Sequence, residues 1–187
     1  MNDEVRSDDD SLILRILREI RGFLITLLVL LAIVLVINIF IGRLVKVDGH
    51  SMDTTLSNGE ILVMDKISYK FSDPKRYDIV IFPHDDKYYI KRVIGLPGET
   101  VQIIDGAFYI NGEKLDDNHG LEPIEESMYG RAAEPVKLAN DEYFCVGDNR
   151  NHSGDSRLES VGNVKRDIID GKAIFRLTPI KRFGTLN

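Results

Sequence analysis

Ser51 lies in the stretch VDGHSMDTTL (47–56), a small, glycine-containing setting that offers its hydroxyl as a nucleophile. A serine attacks a carbonyl only when a base takes its proton. His50 adjoins Ser51, but neighbours in an extended chain point to opposite faces, so His50 is poorly placed as that base. Lys91 is the other candidate. It sits in YYIKRVIGLPG (88–98), flanked by Ile90 and Val93, in a run that reads as a half-buried strand. A free lysine titrates near pH ~10.4, and burial or nearby positive charge lowers that by several units. A desolvated Lys91 accepts the Ser51 proton and forms a serine–lysine dyad. A lysine that buries its stem and keeps its amine in water is the competing reading of the same position.

The third stretch is GDNRNHSGDSR (147–157). It reads as a polar turn built on Asx and Gly chemistry. It also holds two acid–base pairs at close spacing, Asp148 with Arg150 and Asp155 with Arg157, and a loop of this kind can hold a dyad in place.

Other chemistries find little support. The four histidines, His50, His84, His119 and His152, form no H-E-x-x-H pattern, and HDDK lacks calcium-loop spacing, so no metal is expected. No glycine-rich phosphate loop is present, and no cofactor is expected. The single cysteine, Cys145, excludes a disulfide within the chain and a cysteine zinc cluster. Its setting, YFCV, reads as a buried core thiol. The net charge of −6 indicates no basic face for nucleic acid.

These residues need elements to carry them. Residues 22–42, GFLITLLVLLAIVLVINIFIG, form an uncharged run in which Asn38 is the strongly polar residue. At about 1.5 Å per residue this run spans a hydrocarbon core of roughly 30 Å. No A-x-A pattern follows it, so it reads as an uncleaved transmembrane anchor and not a removed signal. Arg6, Arg15, Arg18 and Arg21 precede it; Arg43 and Lys46 follow. That bias places residues 1–21 in the cytoplasm as a tail and residues 43–187 outside the cell membrane. The acidic start, NDEV and SDDD, reads as solvated.

Beyond the anchor, short runs rich in Val, Ile, Phe and Tyr alternate with turn signals: EILVMDKI, DIVIFP, YYIKRVIGL, TVQII, AFYING, EYFCVG and KAIFRLTPI. They read as strands, and the fold class is mainly β. Asp105-Gly106 and Asn111-Gly112 mark a hairpin followed by a second turn. Residues 116–138 read as a long polar loop with a short helix possible in EPIEESMYG. The hairpin and loop together cover 101–138.

Five elements in order carry a resemblance. They are the anchor, G-x-S-M-x-x-T-L (49–56), R-x-D-I-V-x-F (76–82), Y-I-K-R-V-I-G-L-P-G (89–98) and G-D-N-R-x-x-S-x-D-S-R (147–157). The chain resembles the bacterial type I signal peptidases, in their short, single-anchor Gram-positive form. The resemblance implies an antiparallel β catalytic domain behind a single transmembrane helix, and a serine endopeptidase that removes signal peptides after A-x-A-like sites. It implies Ser51 as nucleophile, Lys91 as general base, and Ser153 as the hydroxyl that orients the lysine. It implies Asp155 and Arg157 as a shaping salt bridge, with Asp148 and Arg150 in the same loop. It implies Val47, Met52, Leu56, Tyr89 and Ile90 as the lining of shallow substrate pockets. It implies that the hairpin and loop over 101–138 are an insertion. The implied partners are preproteins leaving the secretion machinery and membrane lipid. Two departures stand out. The family's S-M-x-P is absent, because Asp53 and Thr54 follow Met52. Gly49 stands where some members carry a serine, so oxyanion stabilisation falls to backbone N–H groups, chiefly that of Ser51. A self-cleaving repressor of the SOS response shares the dyad but needs a DNA-binding domain where this chain has its apolar run. The microsomal peptidases use histidine where this chain has Lys91; a mitochondrial inner-membrane peptidase keeps the lysine. A catalytically dead, membrane-tethered module that binds exported chains is the rival of another class.

Overall fold

The structure is a computed structural model that describes residues 2–40, 42–120 and 122–186, with the side chains of the first helix described over 15–34. The chain divides into two units, Met1–Ile41 and Gly42–Asn187. The first is one helix, α1 (Asn2–Phe40). Leu, Ile, Val and Phe dominate its described stretch from residue 23 onward, and every described side chain is exposed. Among the described residues, no helix is long and apolar enough to cross a membrane. Residues 35–41 of the expected 22–42 anchor lie outside the described side chains.

The second unit is mainly antiparallel β. Its strands are β1 (Arg43–Lys46), β2 (Ile61–Asp65), β3 (Ile79–His84), β4 (Lys87–Gly95), β5 (Thr100–Ile104), β6 (Ala107–Ile110), β7 (Glu113–Lys114), β8 (Val136–Lys137), β9 (Glu142–Val146), β10 (Val164–Lys165), β11 (Gly171–Thr178) and β12 (Gly184–Thr185). A short helix, α2 (Ser68–Phe71), follows β2. The large sheet runs β1-β2-β11-β3-β4-β9-β10, with β12 paired to β11; the small sheet runs β7-β6-β5-β8.

The strand period of two explains the cores. In β3, Ile79 and Ile81 pack on one face with Leu62, Met64 and Ile90. Val80 and Phe82 pack on the other with Val93, Tyr143 and Cys145. Both faces of the large sheet are therefore covered around its middle strands. Cys145 is fully buried there, and burial pushes its thiol up. A third core, built on Val101, Ile103, Phe108 and Ile110, joins the small sheet to Ile94 and Phe144.

The strands of the small sheet reverse at the two expected turns. Asp105 and Gly106 have φ of 49° and 76°, and Asn111 and Gly112 have 53° and 86°. Two successive left-handed residues match the twist of flanking strands, which is why Asx-Gly pairs occur there. The segment 116–138 is more ordered than its polarity suggests. It contains a 3-10 turn at Glu126–Met128 and ends in β8, which pairs with β5.

Candidate active site

Ser51 sits in the loop between β1 and β2. Backbone bonds fix both ends of that loop: Val47 N–H donates to Glu60 O at 2.8 Å, and Gly59 N–H donates to Val47 O at 2.9 Å. Gly49 takes φ of 107°, and its N–H donates to Asn58 Oδ1 at 3.1 Å. A side chain there is strained, so glycine suits the bend that presents Ser51.

Lys91 comes from the middle of β4, paired with Val80 of β3. It is 4% exposed. Its Nζ donates to Ser51 Oγ at 2.6 Å and lies 5.0 Å from the centre of the Tyr89 ring. Burial lowers its pKa from 10.5 to about 8, and the Arg157 charge acts in the same direction. Asp155 and Asp148 oppose that shift. The competing reading, a lysine with its amine in water, does not match this placement. His50 turns outward: its side chain is 71% exposed, and Nδ1 lies 2.8 Å from Asp53 Oδ2.

The loop 147–157 supports the pair through its backbone. Asn149 N–H donates to Ser51 O at 3.0 Å, and Asn149 Nδ2 donates to His50 O at 3.0 Å. Gly147 is pressed between Ser51 and Ser153: a Cβ there would stand 2.2 Å from Ser51 O and 2.3 Å from Ser153 Oγ. Gly147 N–H donates to Asp155 Oδ2 at 3.0 Å. Arg157 closes on Asp155 with two parallel bonds of 2.8 Å, and both side chains are buried. Although burial alone raises a carboxyl, the Arg157 bonds, the Gly147 N–H and the Ser153 hydroxyl together hold Asp155 below its usual range. Ser153 Oγ is itself buried, and among the described residues it makes no regular hydrogen bond to Lys91.

One expected pair is corrected. Asp148 does not pair with Arg150. It takes two bonds from Arg92, Nε at 2.8 Å and Nη2 at 2.7 Å, with both side chains fully buried. Thr55 Oγ1 also donates to Asp148 Oδ2 at 2.5 Å. Arg150 turns to Asp117 at 2.6 Å. Adjacent β-strands β4 and β9 set this exchange, since Arg92 faces Val146 in their register.

A cleft of about 660 Å³ opens beside the pair, and Val47, Met52, Tyr89 and Ile90 line it with Ser51 and Lys91. Leu56 does not line it. Leu56 is fully buried and packs in the core with Leu62, Met64 and Ile79. Among the described residues, no acceptor takes the Ser51 N–H. No group of three or more His, Cys, Asp and Glu side chains among them is placed to hold a metal ion. Arg92, Gly147 and Asn149 join the site without having been singled out in the sequence. Their signal was position: Arg92 follows Lys91 directly, and the other two open the loop 147–157.

The arrangement is a buried amine on a serine hydroxyl, beside a cleft and a free backbone donor. The sequence matches the family described as signal peptidase, peptidase S26, over residues 20–178. It is similar to the probable signal peptidase I-2 of Synechocystis sp., at 38% identity over 165 residues, covering 83% of this chain and 72% of that one. It is similar to the signal peptidase I of Bacillus caldolyticus, at 34% identity over 178 residues, covering 89% and 96%. The crystal structure of a signal peptidase I from Enterococcus faecalis aligns at 33% identity with a TM-score of 0.46, covering 54% of this chain and 97% of that one.

Proposed function

The chain belongs to the signal peptidase family, peptidase S26, and from that premise we propose that it is a membrane-bound serine endopeptidase with Ser51 as nucleophile and Lys91 as general base. Its substrates are preproteins, cut after small, A-x-A-like residues. The observation that carries this reading is the 2.6 Å contact between Lys91 Nζ and Ser51 Oγ on a nearly inaccessible lysine.

When Lys91 is neutral, the hydroxyl donates along that contact to the amine lone pair. Ser51 Oγ attacks the scissile carbonyl as Lys91 takes the proton. The Ser51 N–H receives the oxyanion, a contribution of about 3 kcal/mol for one such donor in other hydrolases. Lys91 then protonates the leaving amine, and the acylated serine holds the signal peptide. Water gives a proton to Lys91 and attacks the ester, and Lys91 returns that proton to Ser51 Oγ as it leaves, which regenerates the hydroxyl and the neutral amine. Ser153, whose buried hydroxyl lies between Gly147 and the Asp155 carboxylate, is the group we assign to orient the amine.

Two strand edges border the cleft. Among the described residues, β1 pairs with β2 alone, and residues 87–91 of β4 pair with β3 alone. An extended substrate adds to such an edge through main-chain bonds, with alternate side chains entering pockets. Val47, Met52, Tyr89 and Ile90 form those pockets. Residues 22–42 anchor the chain in the cell membrane, with residues 1–21 in the cytoplasm and the catalytic unit outside. Confining enzyme and substrate to one bilayer raises their effective concentration.

The test is processing of a preprotein by the full chain in detergent. Ser51→Ala and Lys91→Ala each abolish cleavage under this reading. Full activity in either variant sinks the dyad.

A further inference from the structure

The turn that follows the nucleophile is held by the far end of the chain. Arg182 Nη2 donates to Thr54 O at 2.8 Å and to Thr55 O at 3.0 Å. Arg182 Nη1 donates to Ser57 Oγ at 2.9 Å and to Glu60 Oε1 at 2.7 Å. Arg176, on β11, also donates to Thr55 O, and its Nε lies 2.8 Å from Glu60 Oε2. Glu60 is 3% exposed, so its carboxylate is fixed between two guanidinium groups. Charge-assisted bonds of this kind are roughly twice as strong as neutral ones.

The same turn is held from its other side by the loop 147–157. Thr55 Oγ1 bonds Asp148, and Ser51 O accepts from Asn149 N–H. Ser51 therefore sits at one end of a turn whose other end is clamped by Arg182. Few groups inside the turn do this work. Among the described residues its internal backbone bonds are Asp53 N–H to His50 O at 3.2 Å and Leu56 N–H to Met52 O at 2.8 Å, beside the exposed His50 Nδ1–Asp53 Oδ2 contact. Residue 54, where the related pattern S-M-x-P carries proline, is an exposed threonine, which lacks the ring that fixes φ in proline.

We propose that Arg182, seated on Glu60, is a positioning residue for Ser51, supplying from outside the turn the restraint that a proline at residue 54 supplies from within. The inference rests on the reading of Ser51 as nucleophile. Arg182 touches no reacting atom; it acts through the carbonyls of Thr54 and Thr55. A proline fixes φ without any external partner. Among the described residues no acceptor takes the Thr54 N–H, so a proline there removes no hydrogen bond.

The experiment is steady-state cleavage of a signal-peptide substrate by the full chain carrying Arg182→Ala, Arg182→Lys, and Arg182→Ala combined with Thr54→Pro. The Arg182 side chain is 37% exposed and Glu60 keeps Arg176 as a partner, so truncation leaves the apolar core in place, and the folded fraction is measured alongside. Displacing a reacting group by about 1 Å costs on the order of 100-fold in rate, and a loosened turn costs part of that. Arg182→Ala lowers kcat about tenfold with KM unchanged within about twofold, and the pH midpoint of kcat stays where it was, because Lys91 remains buried. Arg182→Lys recovers little, since an ammonium cannot span two carbonyls and a carboxylate as a planar fork does. Thr54→Pro restores most of the lost kcat. Wild-type kcat in Arg182→Ala overturns the inference. So does a loss of kcat that follows a fall in folded fraction and is not restored by Thr54→Pro. Ser51→Ala run in parallel separates the two readings: activity there removes the nucleophile itself, whereas an inactive Ser51→Ala beside a fully active Arg182→Ala removes only the positioning role.

Discussion

Replacing Gly147 with alanine asks whether the approach of the loop 147–157 to Ser51 sets the rate. The added methyl carbon would lie 2.2 Å from Ser51 O, 2.3 Å from Ser153 Oγ and 2.7 Å from Ser153 Cβ. An ordinary contact needs about 3.4 Å, so one side must retreat by more than 1 Å. The glycine does not have a left-handed φ, so backbone strain is not part of the effect. Overpacking a tight interior costs typically 1–3 kcal/mol, and that is the expected loss of stability. The kinetic effect is larger. A shift of about 1 Å at a reacting group lowers the rate on the order of 100-fold. The assay is kcat/KM on a fluorogenic signal-peptide substrate, with thermal unfolding measured alongside. Gly154→Ala in the same loop is the control, since its methyl would meet only Leu158 Cδ1 at 3.6 Å. We expect about 100-fold loss for Gly147→Ala and under threefold for Gly154→Ala. More than half of wild-type activity in Gly147→Ala refutes the claim that this contact positions Ser51.

Three further outcomes follow from the same geometry. An amine held down from 10.5 to about 8 by burial costs about 3 kcal/mol of folding free energy at pH 7, because the unfolded chain binds the proton that the folded one resists. Lys91→Met therefore raises the melting temperature at pH 7, and wild-type stability rises with pH between about 8 and 10.5, both readable by calorimetry. Asp155→Asn leaves the buried Arg157 without its charge partner and costs about 3–5 kcal/mol, measured by urea unfolding. It also removes a group that raises the Lys91 pKa, so the pH midpoint of any residual activity moves down. Leu56→Ala costs about 2–5 kcal/mol as a core deletion. Because Leu56 lies outside the cleft, that variant keeps the wild-type preference among substrates differing in the residue before the cut.

Much of the candidate site was legible because its chemistry is local. Ser51 in its glycine-bearing loop, Lys91 inside an apolar strand, and Asp155 two residues from Arg157 each announce themselves within a few positions. The two Asx-Gly turns likewise fixed the small sheet's hairpins, since a left-handed residue pair has few other sequence solutions. What sequence spacing could not supply was register. Asp148 and Arg150 look like a pair on the line, but Asp148 finds Arg92, 56 residues away, across the β4–β9 ladder. Leu56 reads equally well as pocket or core until the packing of β2 and β3 encloses it. The closing strand β8 was hidden in a polar segment because two residues are too few to show a period. The grip of Arg182 on Thr54 spans 128 positions, beyond any local pattern.

The central claim is that neutral Lys91 is the base for Ser51. The most direct measurement is the pH profile of kcat/KM for the wild-type chain in detergent, followed from pH 5 to the limit of its folding. A protonated amine accepts no proton, so activity must rise with pH. The account predicts an increase through a midpoint near 8, with a plateau above it. A flat profile, or a midpoint near ~6.5 as a histidine base gives, contradicts it.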